Sequence, residues 1–403
     1  MRVEEKLLLH CAYPNTDHGK EDRIKFLLQN GIDWSYLIKT TNVHGLIPLL
    51  YKSLSAIHSD DIPQWVLEKL HRHFLVNACR NILLTEELFR LLSLFKDKGI
   101  PAIPYKGPTL AVLAYGNISL RQFGDLDILI QDQDFQKAKN ILISLGYEPE
   151  IELSPSREKA FIKSQRDFKF SNKTMMVNLE LQWRITPVSF PFSIDSDSLW
   201  QRLYPVQIEN RETQTFGPED LILILCVHGL YHSWERLEWV CDLAQLVFRY
   251  KHIRWRCVLE NARGLGAERL VLFGVFLAND LFQVGLPKEI LERLENDQTL
   301  KSLLIQRTEK LFDREINFQK IFQYSVFQLK MWKGIRDKVR HCFRLAIIPN
   351  VKDAMFLPLP AFLFPLYSLV RPVRLTAEYG MGLLHSMNHK HTQMKNGRSS
   401  FTN

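Results

Sequence analysis

The chain has little of what marks secreted or membrane-spanning proteins. Its six cysteines are scattered and form no Cys-x-x-Cys pair, so we expect neither a disulfide framework nor a thiolate zinc site. No apolar run reaches the roughly 18 residues that a bilayer-spanning helix needs. The N-terminal MRVEEKLLLHCAYPN is not a signal peptide, because glutamates precede its short leucine run. We therefore expect a cytoplasmic protein with no transmembrane segment.

The composition is that of a folded protein with a basic surface. Apolar residues make up 46% and charged residues 24% of the 403 positions, which excludes disorder over the body of the chain. A chain of this length predicts two or three compact units. The net charge of +8 suits an anionic ligand such as a nucleotide, a nucleic acid or a membrane surface. It does not choose among them, and modest basicity more often reflects a plain solvated surface.

The order of periodic segments predicts an α+β fold. Leucine and isoleucine recur at helical intervals before a helix that ends at Gly99. Short apolar or alternating segments predict three strands, at 100–105, 126–130 and 175–183. We predict four parts: an N-terminal helical region (1–85), a small mixed-sheet core (86–188), a C-terminal helical domain (189–345), and an apolar, proline-containing segment with a polar tail (346–403). The last residues of that tail, 389–403, are expected to be disordered.

Two aspartates separated by one residue are the strongest chemical signal. Asp125 and Asp127 flank Leu126, and on a strand this spacing points both carboxylates to one face while the leucine points to the core. Glu180, in the alternating segment VNLELQW, is the best candidate for a third carboxylate on a neighbouring strand. Three such oxygen ligands suit a two-metal magnesium site. A lone Asp-x-Asp more often marks a solvated strand end.

Cations and a helix start precede these aspartates. Lys106 and Arg121 are close to them in sequence, and both residue types bind phosphate. A helix that begins after Gly107 offers free backbone N–H groups to the same phosphates, with Thr109 in its first turn. The whole segment therefore predicts a site for a metal ion and a nucleoside triphosphate.

Several motifs accompany this segment: Tyr105-Lys106-Gly107, Arg121, Gly124-Asp125-Leu126-Asp127, Gly146-Tyr147 and Glu180-Leu-Gln-Trp183-Arg184. Together they resemble an uncharacterised bacterial nucleotidyltransferase family of the DNA polymerase β-like nucleotidyltransferase superfamily. The resemblance extends to His44-Gly45, His228-Gly229, Trp234, Asp242 and Arg371-Pro372 and so covers most of the chain. It implies an enzyme with a nucleotidyltransferase core that binds ATP or another nucleoside triphosphate with magnesium.

Pro108 departs from the superfamily pattern, which has serine after the glycine. Proline has neither an N–H nor a hydroxyl, so one phosphate contact is lost, and Thr109 or Lys106 is expected to replace it. The interval from Gly107 to Asp125 is also longer than the superfamily usually shows. Both departures concern the phosphate contacts rather than the metal ligands.

A second set of polar residues follows the predicted core at helical spacing. We predict one continuous helix over 220–247, on which His228 and His232 are four residues apart. This spacing can bind zinc, but HGLYH lacks the glutamate of a His-Glu-x-x-His metalloprotease. The plainer interpretation is an interdomain face of hydrogen-bonded histidines.

The functional hypothesis for this helix is that it closes the far side of the cleft. His232 and Arg236 would contact phosphate or acceptor, while Trp234 or Trp239 would stack on a base. Asp242 is expected to orient a histidine or an arginine rather than to act directly.

Basic residues cluster near the C-terminus around Trp332 and Phe343: Lys330, Lys333, Arg336, Lys338, Arg340 and Arg344. They predict either a nucleic-acid or anionic-lipid patch or, with greater weight, an amphipathic helix with a solvated basic face. The apolar run FLPLPAFLFPLYSLV is too short to span a bilayer. We expect it to pack against the helical domain, with Arg371 and Arg374 at lipid headgroups as the alternative.

The working hypothesis is magnesium-dependent transfer of a nucleotidyl group to an acceptor hydroxyl with release of pyrophosphate. Asp125, Asp127 and Glu180 would bind the metals, and Glu180 would also help to activate the acceptor. The predicted nucleotide- or phosphate-binding residues are Lys106, Gly107, Thr109, Arg121, His232 and Arg236. The alternatives are an inactive nucleotide- or partner-binding module of the same fold and a basic nucleic-acid-binding protein. Protein, small molecule and RNA all remain open as acceptors, and the sequence does not determine the oligomeric state.

Overall fold

The chain forms two compact units, each assembled from separate stretches of sequence. The computed structural model describes residues 1–14, 18–312, 318–349, 353, 356, 357 and 359–377. The first unit comprises Met1–Glu150, Arg166–Thr186 and Phe192–Asp313, and the second comprises Ile151–Gln165, Pro187–Pro191 and Arg314–Asn403. The division into four parts stays a prediction.

Five helices open the first unit: α1 (Val3–Ala12), α2 (His18–Leu28), α3 (Trp34–Val43), α4 (Ile47–Ser55) and α5 (Gln64–Asp97). Their ends follow local signals. The side chain of Asp33 caps α3 by accepting a hydrogen bond from the Tyr36 N–H. Pro48 stands in the first turn of α4, where its missing N–H has no cost. As predicted, α5 stops at Gly99, which has a left-handed φ of 68°.

A mixed five-stranded sheet forms the centre of the first unit. Its strands are β1 (Ala102–Pro104), β2 (Asp125–Ile130), β3 (Glu148–Pro149), β4 (Asp167–Asn172) and β5 (Val177–Gln182). They lie in the order β1-β2-β5-β4-β3, with β2 and β5 parallel and the other neighbours antiparallel. Leu126, Ile128, Leu179 and Leu181 are at most 1% exposed, so the parallel pair lies at the hydrophobic centre of the unit.

Short helical segments connect the first strands. Between β1 and β2 lie α6 (Gly107–Leu110), a π-helical turn (Ala111–Tyr115) and a 3₁₀ turn (Ile118–Leu120). After β2 come a second 3₁₀ turn (Asp132–Asp134) and α7 (Phe135–Ser144).

The predicted strands form, but the sheet is larger than the sequence pattern indicates. Strands β3 and β4 were not predicted; β3 has only two residues, and the alternation of buried and exposed residues in β4 was overlooked. The strand expected from position 175 begins at Val177, because Met175 and Met176 form a turn in which Met176 has a φ of 53°. A hairpin of β6 (Leu203–Ile208) and β7 (Arg211–Phe216) was also not predicted.

The rest of the first unit is helical: α9 (Ser196–Trp200), α10 (Pro218–Tyr231), α11 (Leu237–Arg249), α12 (Trp255–Gly264), α13 (Glu268–Phe282), α14 (Lys288–Glu295) and α15 (Gln298–Glu309). Helices α10, α11 and α13 supply much of its apolar core, since nearly every apolar side chain on them is buried. The predicted helical region after Gly217 is therefore present, interrupted by short turns.

The single helix predicted over 220–247 is wrong, because the chain turns between α10 and α11. Ser233 and Trp234 have positive φ values of 53° and 55°. The turn buries the Trp234 ring completely. The ring packs against the backbone of Gly229 and Gly274, where an added Cβ would lie only 2.5 and 2.9 Å, respectively, from the indole. Burying a large aromatic ring outweighs the cost of two strained residues.

The second unit contains α8 (Pro155–Ser164), α16 (Phe318–Met331), α17 (Ile335–Ile347), a 3₁₀ segment (Ala361–Leu366) and helical residues 367–377. Asp353 is fully buried and binds Arg371 at 3.0 Å and Arg374 at 2.6 Å. A headgroup contact by these arginines is therefore excluded. The predicted disordered tail, 389–403, lies outside the described residues.

These observations confirm the predicted α+β class, with a mixed sheet flanked along the chain by helices. In the described part of the chain, no helix combines the length and apolarity needed to cross a bilayer.

Candidate active site

Two adjacent parallel strands bring the three predicted carboxylates to one face of the sheet. In the β2–β5 register, Asp127 lies opposite Glu180, and Asp125 lies opposite Asn178. Because side chains alternate along a strand, Asp125 and Asp127 share the face that carries Glu180. The residues between them point the other way, into the core.

A cavity of about 730 Å³ opens above this face. It is lined by seven of the predicted site residues: Lys106, Arg121, Asp125, Asp127, Glu180, His232 and Arg236. Gly107 and Thr109 do not line it. Gly107 instead lies close to β2, where a Cβ would be 3.4 Å from the Asp125 carbonyl oxygen. Thr109 is fully buried, and its hydroxyl donates to the Lys106 carbonyl at 2.7 Å.

A buried amide joins two of the carboxylates. The Nε2 of Gln182, which is fully buried, donates to Asp127 Oδ1 at 2.8 Å and to Glu180 Oε2 at 3.2 Å. The Tyr105 hydroxyl donates to Gln182 Oε1 at 2.5 Å, which fixes the amide so that its N–H groups face the carboxylates. This role was not predicted from the sequence, although Gln182 lies two residues after Glu180 on β5 and so shares its face.

Two lysines neutralise part of the negative charge. Lys106 Nζ is 3.0 Å from Asp127 Oδ1, and Lys169 Nζ is 2.9 Å from Glu180 Oε1. Lys169 is on β4, directly across from Glu180 in the β4–β5 register. Lys169 was not predicted as a site residue because β4 was not predicted, although the alternation of apolar and polar residues in Asp167–Asn172 indicates a strand.

The carboxylates differ in their protonation equilibria. Burial raises the pKa of Asp127 to about 7; Lys106 opposes this rise, and the charges of Asp125 and Glu180 add to it. Burial alone would also raise the pKa of Glu180, but Lys106, Lys169 and Arg166 outweigh it and hold that pKa below its ordinary value. A bound cation would reduce the repulsion among Asp125, Asp127 and Glu180, which share one face of the sheet.

The donor set suits a hard divalent cation, because it consists of carboxylate oxygens. Within the described ranges, however, no three acidic, histidine or cysteine side chains are grouped closely enough to form a metal site as they stand. Asp127 and Glu180 instead have ammonium groups as partners. The carboxylates are therefore the type of ligand that magnesium prefers. Lys106 and Lys169 already neutralise part of the negative charge that a bound cation would neutralise.

Arg121 is held by a protein carboxylate. Its Nε and Nη2 donate to the two oxygens of Asp242, both at 2.9 Å, and the Tyr115 hydroxyl donates to Asp242 Oδ1 at 2.7 Å. Asp242 is 1% exposed. This ion pair connects the segment before β2 to α11. Arg121 could bind a phosphate only by breaking at least one of its two hydrogen bonds to Asp242.

The end of α10 and the start of α11 form an aromatic wall of the cavity. The His228 and His232 rings are 4.7 Å apart, and the Trp239 ring is 5.4 Å from the first and 4.9 Å from the second. Burial, aided by Arg166 and Lys106, lowers the pKa of His232 to about 4, and burial lowers that of His228 well below its usual value. Both histidines are therefore uncharged at neutral pH. Trp234 is buried, so Trp239 is the tryptophan that reaches the cavity.

The motif His44-Gly45 supports this wall. The Leu237 N–H donates to His44 Nδ1 at 3.1 Å, which fixes the start of α11. A Cβ on Gly45 would lie 1.8 Å from Glu238 Oε2, so only glycine leaves room for the carboxylate that binds Arg236 at 3.0 Å. Glu238 also lines the cavity, and burial raises its pKa to about 7.

Comparison with known proteins identifies the family of the chain. Residues 30–283, more than half of the chain, match the sequence model described as uncharacterised nucleotidyltransferase. Among solved structures, the chain is similar to the lincomycin-bound crystal structure of the lincosamide antibiotic adenylyltransferase LnuA. The identity is 17% and the TM-score 0.28, with 41% of this chain and 97% of that chain covered. A search of the curated proteins gives no match. The chain belongs to the uncharacterised nucleotidyltransferase family, as its motifs predicted.

Proposed function

We propose that the protein transfers a nucleotidyl group from a nucleoside triphosphate such as ATP to an acceptor hydroxyl, with magnesium as cofactor. The observation that carries this proposal is the pairing of Asp127 with Glu180 on adjacent parallel strands, with Asp125 on the same face. Such a set of oxygen ligands at the floor of a large cavity is the arrangement that two-metal phosphoryl chemistry needs.

Asp125, Asp127 and Glu180 are the residues that would hold magnesium. When bound, magnesium neutralises the triphosphate and favours the ionised form of the acceptor oxygen. The Gln182 amide holds Asp127 and Glu180 in position from below, and its partner Tyr105 keeps the amide from rotating.

Three cations around the carboxylates suit the triphosphate. Lys106, Arg166 and Lys169 all line the cavity. Lys106 takes over the phosphate contact that Pro108 cannot make, whereas the buried Thr109 hydroxyl closes the turn beneath it. Arg236 also lines the cavity, where it binds Glu238 and can in addition contact the phosphate or the acceptor.

The uncharged aromatic wall suits the nucleobase. His232 and Trp239 offer ring faces, and a base stacked there gains dispersion energy without bringing a buried charge close to it. The lowered pKa of His232 keeps this surface neutral over the physiological range.

The transfer itself balances without any further reactant. The acceptor oxygen forms a bond to the α-phosphorus while the bond from that phosphorus to the pyrophosphate oxygen breaks. The proton of the acceptor hydroxyl passes to a carboxylate oxygen of Glu180, which is ionised because the neighbouring cations hold its pKa below the ordinary value. Positioning and charge neutralisation supply most of the acceleration in such reactions.

Pyrophosphate release tests this proposal. Purified protein would be incubated with each nucleoside triphosphate, magnesium and pools of hydroxyl-bearing small molecules, proteins or RNA. Asp127→Asn is expected to abolish pyrophosphate release, whereas Asp132→Asn, an exposed residue of the 3₁₀ turn, leaves it unchanged. Release by Asp127→Asn at the wild-type rate would contradict the site assignment.

A second candidate is a nucleotide-binding module without turnover. Pro108 and the buried hydroxyl of Thr109 favour it, because both remove ordinary phosphate contacts. Magnesium-dependent nucleotide binding without pyrophosphate release from any acceptor pool would support this second function.

A further inference from the structure

Helix α17 of the second unit exposes an apolar stripe. Ile335, Val339 and Phe343 follow one another at intervals of four residues, and their exposed fractions are 78%, 62% and 63%. Residues at this spacing lie along one face of a helix. An amphipathic helix on a protein surface normally buries such a face, whereas α17 exposes its apolar side chains together with Arg336 and Arg340.

The opposite face of α17 is anchored within the second unit. His341 is fully buried, with Nδ1 2.8 Å from the Ser189 carbonyl oxygen. Its ring contacts Trp332 at 5.6 Å, and Arg344 donates to the Phe190 carbonyl. The opposite face of α17 is therefore held by these contacts, while the α17 stripe remains exposed.

Cations flank the α17 stripe. Lys333, Arg336 and Arg340 are exposed, and with 3.6 residues per turn Arg336 and Arg340 fall beside the apolar side chains. None of the three forms an ion pair within the described part of the second unit. Their charges are therefore available to an external anion.

A second apolar stripe occurs on the helical residues 367–377 and the residue before them. Leu366, Leu369 and Val373 are 42%, 68% and 65% exposed. The arginines of this helix, Arg371 and Arg374, face inward and bind Asp353, which leaves the outer face apolar. Exposed apolar side chains that follow one face of a helix are a candidate interaction surface.

We infer that the second unit docks through the α17 stripe onto an anionic lipid bilayer. A helix that lies in the membrane interface inserts its apolar residues between headgroups and places flanking arginines and lysines at the phosphate level. The α17 stripe, Arg336 and Arg340 on the same helix, and Lys333 just before it supply both elements. A nucleic acid would use the cations but would leave the apolar residues uncovered, so the stripe favours lipid.

Vesicle co-sedimentation of the full chain tests this inference. The probes are vesicles of phosphatidylcholine mixed with phosphatidylglycerol, and vesicles of phosphatidylcholine alone. Wild type is expected to sediment with the anionic vesicles at low salt and to stay in solution with the neutral ones. The double variants Val339→Gln/Phe343→Gln and Arg336→Gln/Arg340→Gln should each weaken partitioning by at least about tenfold.

Two matched variants control for general changes in surface character. Ile82→Gln/Leu83→Gln alters exposed apolar residues of the first unit, at 51% and 66% exposure. Arg256→Gln/Lys288→Gln removes two exposed cations of that unit. Both should sediment like wild type, and thermal melts of all variants check that the fold is kept.

Three outcomes would overturn the inference. The first is that wild type fails to sediment with anionic vesicles. The second is that Val339→Gln/Phe343→Gln sediments as wild type does, which would leave only charge and point to a nucleic acid or another polyanion. The third is that light scattering shows a wild-type dimer that this variant converts to a monomer, which would mean that a second copy covers the stripe.

Discussion

Asp127 on β2 and Glu180 on β5 lie directly opposite each other in a parallel strand pair. A shift of this pairing by one residue would turn Glu180 toward the core and bring an apolar side chain to the cavity. The buried leucines and isoleucines behind the two strands fix the register, and with it the spacing of the acidic groups. The hydrophobic core of the first unit thus determines the geometry of the candidate site.

Gln182→Leu is expected to lower magnesium affinity by about tenfold or more, because the outer partner that orients two carboxylates is lost. Magnesium titration, followed by calorimetry, measures this directly without requiring turnover. Tyr105→Phe removes the hydroxyl that orients the amide and should give a smaller loss. Unchanged affinity in Gln182→Leu would contradict the positioning role.

Arg121→Met is expected to destabilise the fold by about 3 kcal/mol, because it leaves the buried Asp242 carboxylate without its main partner. Urea unfolding measures the change. The double variant Arg121→Met/Asp242→Leu should recover part of the loss, since it removes both charges. Additive losses in the double variant would mean that the two residues act independently.

Gly45→Ala is expected to destabilise the first unit more than Gly31→Ala does. Both glycines have a φ near 70°, so both substitutions carry the left-handed backbone cost of about 1 kcal/mol. At Gly45 the added Cβ would also clash with a carboxylate oxygen of Glu238, at 1.8 Å. At Gly31 no atom lies within 4 Å of the added Cβ. Thermal melts of the two variants compare them, and equal shifts would show that Glu238 moves aside freely.

The free energy of unfolding is expected to decrease as the pH falls from 7 to 5, because His232 takes up a proton in the unfolded chain. Its pKa is lowered from 6.5 to about 4 in the folded chain, so in this range the unfolded chain gains a proton that the folded chain does not bind. The loss from this residue is up to about 2 kcal/mol at pH 5. His232→Phe keeps the ring contacts and removes the titration, so its stability should fall less between these pH values. If the free energies of unfolding of wild type and His232→Phe changed equally with pH, the lowered pKa of His232 would be contradicted.

The local features of the site were predictable from the sequence. The Asp125-Leu-Asp127 spacing and the alternation around Glu180 each indicate a strand with acidic residues on one face, and both strands are present. The end of α5 at Gly99 was predictable for a similar reason, since a left-handed glycine is a signal carried by one residue.

Features that depend on distant partners were not predictable in the same way. The Arg121–Asp242 pair joins residues 121 positions apart; the sequence predicts that Asp242 orients a histidine or an arginine, but it does not identify Arg121 as the partner. The turn after α10 follows from the space that Gly229 and Gly274 leave for Trp234, which only the packed structure shows. Likewise, the outward orientation of α17 depends on what its other face contacts, not on its own periodicity.

Calorimetric titration of ATP in the presence and absence of magnesium tests the central claim most directly. Wild type and Asp132→Asn are predicted to bind ATP with magnesium and to lose most of this affinity when EDTA removes the metal. Asp127→Asn is predicted to bind weakly under both conditions while keeping its thermal melt. Equal, metal-independent binding by wild type and Asp127→Asn would contradict the assignment of Asp125, Asp127 and Glu180 as the metal-nucleotide site.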